Sequence, residues 1–356
     1  MDARATLPSA LAAALLLAGC GERLGTVWRG MDAGADTDAD ADADADSDAD
    51  ADADADGDAD ADAGMDAGVI WRFAAFGDSR GTYAEGGGHN AEVLGAIAAA
   101  VVAEGVDLVI YPGDLVYGSA DAATLEAELL AWRGTMEPLY DAGVAVYPVR
   151  GNHDDGAVAA WHAVFAGEYA IDDAGPPGEV NLTYAVRHRN ALIVGLDQYV
   201  AIHRVNQEWL DGVLAANDAP HVFVFGHEPA YAAIHTDCLD DHPEARDAFW
   251  RSIAAAGART YFCGHDHMYN RALVHDGDAL PDVYQLIVAT AGAPPYTFDH
   301  AYGGDNGDAS VEEIFTDTPY GYVLVEIHGK QVTLTWKKMT EPGIFVPVET
   351  WGYAVP

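Results

Sequence analysis

The chain has 356 residues, half of them apolar, with 58 acidic side chains, 17 basic side chains and only three cysteines. Eighteen of the acids and three arginines precede Trp71, which leaves 40 acids and 14 bases, a net charge of −26, on the last 286 residues. A surface of that sign repels phosphate backbones, so we expect no nucleic-acid partner. Three cysteines are too few for a disulfide scaffold.

Residues 1–20 have the features of an export signal. The apolar run over residues 10–18 is too short to remain as a membrane span. It leads into a Leu-Ala-Gly-Cys sequence that ends at Cys20 and resembles the lipobox of bacterial lipoproteins, in which this cysteine carries the lipid. The sequence therefore predicts an exported protein, anchored through lipid on Cys20 in the outer membrane or at the cell surface. An ordinary signal peptide is the alternative.

Residues 21–70 are predicted to form a disordered tether. Between residues 31 and 68 the chain alternates Asp and Ala, with 16 Asp and no aromatic residue. Such a segment has no side chains to bury against the entropy of ordering, and its charges repel each other and extend it. Residues 52–57 imitate the start of an EF-hand loop, but the twelfth position is Ala63 where calcium needs a bidentate Glu. We therefore interpret the segment as a spacer and not as a calcium site.

Residues 71–356 are predicted to form one domain of the α/β class, because apolar runs of strand length alternate with helical periodicity. The predicted strands are 71–76, 107–111, 144–149, 191–196, 221–225 and 259–263. The predicted helices are 90–103, a stripe at spacings of three and four from Leu125 to Leu139, and 243–256. A hairpin pairs 322–327 with 332–336. Residues 155–180 and 294–319 are predicted loops that determine specificity.

Five of the predicted strands end in a glycine that is followed closely by polar side chains. These turns are Gly77-Asp78-Ser79-Arg80, Gly113-Asp114-Leu115-Val116-Tyr117, Arg150-Gly151-Asn152-His153-Asp154, Gly226-His227-Glu228-Pro229 and Gly264-His265-Asp266-His267. In open α/β sheets, ligands bind beyond the carboxyl ends of the strands, so these side chains are expected to converge. Oxygen and nitrogen donors without a thiolate favour iron, manganese or zinc.

These turns, in this order, resemble the calcineurin-type metallophosphoesterase superfamily, and the resemblance extends from Phe73 to Arg271. It implies a four-layer α/β/β/α sandwich with two metal ions at the carboxyl ends of strands. It also implies ligand assignments for six residues. Asp78 and His267 would bind the first metal, Asp114 would bridge both, and Asn152, His227 and His265 would bind the second.

Within the superfamily, Tyr117 and the absence of a histidine at position 80 resemble the purple acid phosphatase branch, although that branch commonly has glycine where this chain has Arg80. Most members carry a histidine ligand where this chain has Arg80, and arginine stays protonated and cannot ligate. The purple branch also lacks that histidine and uses a tyrosine three residues after the bridging carboxylate, the position of Tyr117. A tyrosinate ligand implies Fe(III), paired with Fe(II), Zn or Mn. The alternative is that Tyr117 is a packing aromatic.

The resemblance implies hydrolysis of small phosphate mono- or diesters by attack of a metal-activated hydroxide on phosphorus. His153 and His235 are alternative proton donors to the leaving group. Arg150 and Arg80 are candidates for binding the phosphate. Two other interpretations stay open: a metal-binding surface module without catalysis, and a non-phosphate hydrolase on the same scaffold.

Overall fold

The computed structural model describes residues 70–82, 87–171, 175–277, 280–296, 302 and 306–356. The predicted export signal and nearly all of the predicted tether lie outside these residues. Within the described part, no helix is both long enough and apolar enough to cross a membrane.

The domain contains two sheets, and the first of them is a mixed sheet of six strands. Its strands, in chain order, are β1 Ile70–Ala75, β2 Leu108–Tyr111, β3 Ala145–Pro148, β11 Gly321–His328, β12 Gln331–Glu341 and β13 Ile344–Ala354. Their order across the sheet is β13-β12-β11-β1-β2-β3, with β1, β2 and β3 parallel. Three helices accompany this sheet: α1 Ala91–Glu104, α2 Ala122–Asp141 and α3 Val158–Val164.

A second sheet contains seven strands. They are β4 Tyr184–His188, β5 Ala191–Leu196, β6 His221–Gly226, β7 Thr260–Cys263, β8 Tyr269–His275, β9 Val283–Val288 and β10 Ser310–Asp317. Their order is β10-β8-β9-β7-β6-β5-β4, and β5, β6, β7 and β9 run parallel. The helices α4 Gln207–Ala215 and α5 Pro243–Ala255 accompany this sheet.

The two sheets pack face to face, and the helices cover their outer faces. In β1, Phe73 points into the core between the sheets, where its ring lies 4.9 Å from the ring of Phe223 in β6. The next residue, Ala74, points the opposite way, into the core beneath α1 and α2. Val224 likewise lies in the core beneath α4 and α5. Strands buried on both faces explain the continuous apolar runs, and the predicted four-layer α/β/β/α sandwich is confirmed.

The predicted strands correspond to β1, β2, β3, β5, β6 and β7, and the predicted hairpin is formed by β11 and β12. Two predicted loops are corrected. The segment 155–180 contains α3, and the segment 294–319 contains β10, which pairs antiparallel with β8. Both elements are short or half-exposed, so the apolar periodicity of their sequences is weak.

The carboxyl ends of the parallel strands of both sheets meet at one edge of the sandwich. The Gly77 amide, just after β1, donates to the carbonyl of Val288 at the end of β9 over 2.9 Å. The Gly264 amide, after β7, donates to the His227 carbonyl over 2.7 Å. These bonds bring the loops that carry the predicted ligands together.

Candidate metal centre

Three of the predicted ligands have left-handed backbone conformations. The φ angles are +60° at Asp78, +52° at Asp114 and +71° at His265. Conformations of this kind are uncommon outside glycine and cluster at functional sites. Backbone hydrogen bonds hold them, because the His265 amide donates to Asp78 Oδ1 over 2.9 Å and the His153 amide donates to Asp114 Oδ1 over 3.0 Å.

Two glycines allow the loops to approach these carboxylates. A Cβ atom on Gly151 would collide with the carboxylate of Asp114, and one on Gly264 would collide with that of Asp78. Any other residue at these positions would push a neighbouring ligand out of place. The glycines that mark the turns in the sequence are therefore required by the close approach of the loops.

Four donor atoms form one ligand group. His227 Nε2 lies 3.1 Å from Asn152 Oδ1, 3.2 Å from His265 Nδ1 and 3.5 Å from Asp114 Oδ1. The distance from His265 Nδ1 to Asn152 Oδ1 is 3.2 Å. Two imidazoles, an amide oxygen and a carboxylate at these separations suit a first-row transition metal.

A second group adjoins the first. His267 Nε2 lies 3.7 Å from Asp78 Oδ1, and donor atoms of Asp78, Asp114 and His227 all lie within 4.8 Å of one another. Asp78 is fully buried, and its Oδ2 makes no hydrogen bond with the described residues. An ionised oxygen in that position needs a cation.

The histidine rings are oriented for binding a metal. The Nδ1 of His227 lies 2.8 Å from the carbonyl of Pro112, and that of His267 lies 2.7 Å from the carbonyl of Pro294. A carbonyl can only accept, so Nδ1 carries the proton and Nε2 has a free lone pair. Burial lowers the pKa of His227 to about 4 and that of His267 to about 3, which keeps both rings neutral.

The carboxyl group of Asp78 shows the opposite effect. Burial and the neighbouring charge of Asp114 raise the pKa of Asp78 well above its ordinary value. Two carboxylates packed this closely repel each other unless a cation lies between them. The neutral imidazoles, the unpartnered buried oxygen and the adjacent carboxylates therefore fit bound metal ions.

The centre opens into a cavity of about 120 Å³. Its lining consists of Arg80, Asp114, Asn152, His153, His235, Asp237, His265, His267 and Tyr296. Of the predicted catalytic side chains, His153, His235 and Arg80 thus lie in this cavity, beside the predicted ligands.

His235 and His153 differ in what holds them. His235 Nδ1 lies 2.6 Å from Asp266 Oδ1, and this hydrogen bond raises the pKa of His235. His153 Nδ1 lies 2.5 Å from the backbone carbonyl of Tyr117. A carboxylate stabilises the imidazolium form, whereas a carbonyl provides no full countercharge.

Tyr117 lies next to the cavity but is absent from its lining. Its ring is 5.7 Å from the ring of His153, and its amide donates to the Gly88 carbonyl over 2.6 Å. Among the described residues, the Tyr117 hydroxyl makes no hydrogen bond. Its role as a ligand stays a prediction.

The two predicted phosphate-binding arginines occupy different environments. The Arg80 guanidinium lines the cavity, with Nε 3.5 Å from Asp114 Oδ2. Arg150 is buried away from the lining and is engaged with Asp197 through contacts of 2.7 Å from Nε and 3.0 Å from Nη2. Of the two arginines, Arg80 therefore lines the cavity, whereas the guanidinium of Arg150 is occupied by Asp197.

Sequence reasoning missed four residues of the site. Asp154 accepts from the amides of Leu115, Val116 and Gly151 and so joins two ligand loops. Asp266 orients His235, Asp237 lies 3.6 Å from His265 Nε2, and the Tyr296 ring stacks on His267 at 4.3 Å. Asp154 and Asp266 belong to the glycine-containing turns described above. Their position next to predicted ligands was the signal in the sequence that could have identified them as residues of the site.

The family comparison agrees with this geometry. The model of the calcineurin-like phosphoesterase family matches residues 72–269, more than half of the chain. A search of curated protein sequences found no match.

Solved structures share the fold at low sequence identity. A purple acid phosphatase from yellow lupin (Lupinus luteus) seeds aligns with a TM-score of 0.56 and 15% identity, over 80% of this chain and 54% of that one. PhoD aligns with a TM-score of 0.54 and 13% identity, over 80% and 70%. A dimetal phosphatase from Danio rerio aligns with a TM-score of 0.53 and 14% identity, over 80% and 99%. This chain thus spans about half the length of the lupin protein. The fold, the candidate metal centre and the family match agree, and the chain belongs to the calcineurin-like phosphoesterase family.

Proposed function

We propose that this chain hydrolyses small phosphate mono- or diesters at a centre of two metal ions. The ligands would be Asp78, Asp114, Asn152, His227, His265 and His267. The observation that supports this most strongly is the convergence of six donor side chains from five separate loops, four of which line one small cavity. One of the six, Asp78, has a buried carboxylate oxygen that makes no hydrogen bond with the described residues. Most buried carboxylate oxygens accept hydrogen bonds, so an unsatisfied one beside other donor atoms favours a bound cation.

Bound metal ions would lower the pKa of a coordinated water and neutralise charge on the phosphate oxygens. The donor set suits iron, manganese or zinc, and Fe(III) belongs to the proposal if Tyr117 is a ligand. Arg80 adds a fixed positive charge on the cavity wall. A cavity of about 120 Å³ accepts a phosphoryl group, while the rest of a substrate would lie outside it.

His235 is the proposed proton donor to the leaving oxygen. Its Nδ1–H donates to Asp266, so Nε2 is the nitrogen left to face the cavity, and the carboxylate favours the protonated ring. His153 lies in the same cavity but is backed by a carbonyl, which makes it better suited to hydrogen-bond a phosphate oxygen. With the lipid on Cys20 predicted from the sequence, the reaction would take place at a membrane surface outside the cytoplasm.

Asp114→Asn tests the proposal. The substitution keeps the shape of the side chain but removes a negative charge from both ligand groups, so we expect loss of bound metal and of phosphatase activity together. Metal content by mass spectrometry and hydrolysis of nitrophenyl phosphate and bis(nitrophenyl) phosphate are the measurements.

Asp121→Asn is the matched control, because Asp121 is exposed and caps α2, and asparagine caps a helix equally well. Two metal ions per chain and normal hydrolysis in Asp114→Asn would refute the proposed centre.

A further inference from the structure

Arg80 occupies a distinctive position within the metal centre. Its backbone amide donates to the Asp114 carbonyl over 3.2 Å, which holds the start of the side chain beside that ligand. The guanidinium Nε lies 3.5 Å from Asp114 Oδ2, and the side chain is 17% exposed. The Nε atom is buried and makes no hydrogen bond with the described residues. A permanent positive charge therefore lies against the carboxylate that both ligand groups share.

The two oxygens of Asp114 face different surroundings. Oδ1 points to the Asn152, His227 and His265 group, at 3.5 Å from His227 Nε2. Oδ2 is the oxygen beside Arg80. The shared carboxylate thus offers one oxygen free of any cation and one that already faces a guanidinium.

The two groups also differ in the number of donors. The first has four neutral or anionic donors, from Asp114, Asn152, His227 and His265. The second has three, from Asp78, His267 and the shared Asp114. Fewer donors and a nearby cation both weaken binding of a divalent ion.

We propose that Arg80 makes the two metal positions unequal, with one ion held tightly by the Asn152–His227–His265 group and the other held weakly by the Asp78–His267 group. This inference rests on the proposed function, since it assumes two metal positions. Asp78 and Asp114 together carry two negative charges, and Arg80 reduces their sum to one. Arg80 also repels a bound cation, and solvent screens this repulsion poorly because the centre is buried. The ion in the Asp78–His267 group is expected to experience most of the repulsion.

The test is Mn²⁺ binding to the full metal-free chain, measured by calorimetry and equilibrium dialysis, with EPR to distinguish single from coupled ions. In the wild type we expect one tight ion and a second whose Kd is higher by on the order of tenfold or more. At one equivalent, the EPR signal should be that of an isolated ion.

Two substitutions separate charge from ligation. Arg80→Gln removes the charge and should tighten only the weaker position. Arg80→His removes the charge and adds an imidazole, so it should tighten that position further and produce a coupled EPR signal at lower Mn²⁺. Arg187→Gln is the matched control, because Arg187 is an exposed arginine paired with Asp218 and should leave both Kd values unchanged.

Equal affinities in the wild type, or an unchanged weaker Kd in both Arg80 variants, would overturn the inference while leaving the two-metal phosphatase intact. Failure of the wild type to bind Mn²⁺ would overturn both. Unequal binding without hydrolysis of any phosphate ester would support the inference and count against the proposed function alone.

Discussion

The orientation of His235 leads to a prediction about the leaving group. Its Nδ1 is bound by Asp266, and its ring borders those of His265 and Tyr296 at 4.7 Å and 5.2 Å. We expect His235→Asn to lower kcat for an alkyl phosphate by about a hundredfold or more. The effect on a nitrophenyl ester should be much smaller, because that leaving group departs without a proton. Steady-state kinetics on both esters is the measurement.

The pH dependence should agree with this assignment. The hydrogen bond to Asp266 raises the pKa of His235, so the protonated donor persists to higher pH, and kcat for the alkyl ester should fall only as the pH rises past that raised pKa. His153→Asn is the control and should affect both esters alike. A leaving-group dependence in His153→Asn instead of His235→Asn would reverse the two roles.

At the scale of elements, Asp154 connects the loops that follow β2 and β3. Its carboxylate accepts from three backbone amides, those of Leu115 at 3.1 Å, Val116 at 3.2 Å and Gly151 at 2.9 Å. Asp154→Ala would leave these buried donors without partners, and we expect it to lower the free energy of unfolding by about 2–4 kcal/mol. Urea denaturation measures the change.

The comparison variant is Asp121→Ala, which removes an exposed helix cap and should cost about 1 kcal/mol. If both variants lose the same stability, the two loops are held together by contacts other than Asp154.

Elements of the sandwich differ in how readily the sequence reveals them. Buried parallel strands such as β2 and β6 are continuous apolar runs, and the helix stripe from Leu125 to Leu139 has clear spacing. The edge strand β13 is half-exposed and contains Pro347, so its pattern is weak although it pairs along the whole of β12. Pairing with a neighbour determines such a strand, and pairing is invisible in local sequence.

The residues of the site also differ in whether the sequence reveals them. The ligands stand next to glycines after strands, so their convergence follows from the topology of parallel sheets. The contacts of Asp154, Asp237 and Tyr296 depend on which backbone amides and rings the distant loops present. These contacts are set by tertiary structure, and no spacing in the sequence encodes them.

At the scale of the whole molecule, the net negative charge of the domain repels the anionic substrate that the proposed centre would bind. The chain from Trp71 onward has a net charge of −26, whereas the cavity must attract a phosphate ester. Charges beyond about 10 Å are screened at 0.1 M salt, so added salt should weaken the repulsion from the surface more than the attraction inside the cavity. We expect kcat/KM for nitrophenyl phosphate to rise with sodium chloride while kcat stays nearly constant. A value of kcat/KM that falls steadily with salt would show that local attraction dominates.

The left-handed backbone at Asp78, Asp114 and His265 affects how the sequence is expected to evolve at these three positions. Each such residue costs on the order of 1–3 kcal/mol, and the surrounding core bears that cost whether or not an ion is bound. Glycine at these positions would relieve the strain and abolish ligation at once. Stability and activity therefore impose opposite demands on the same three residues. A lineage in which the reaction was no longer selected would gain stability by losing these residues before others.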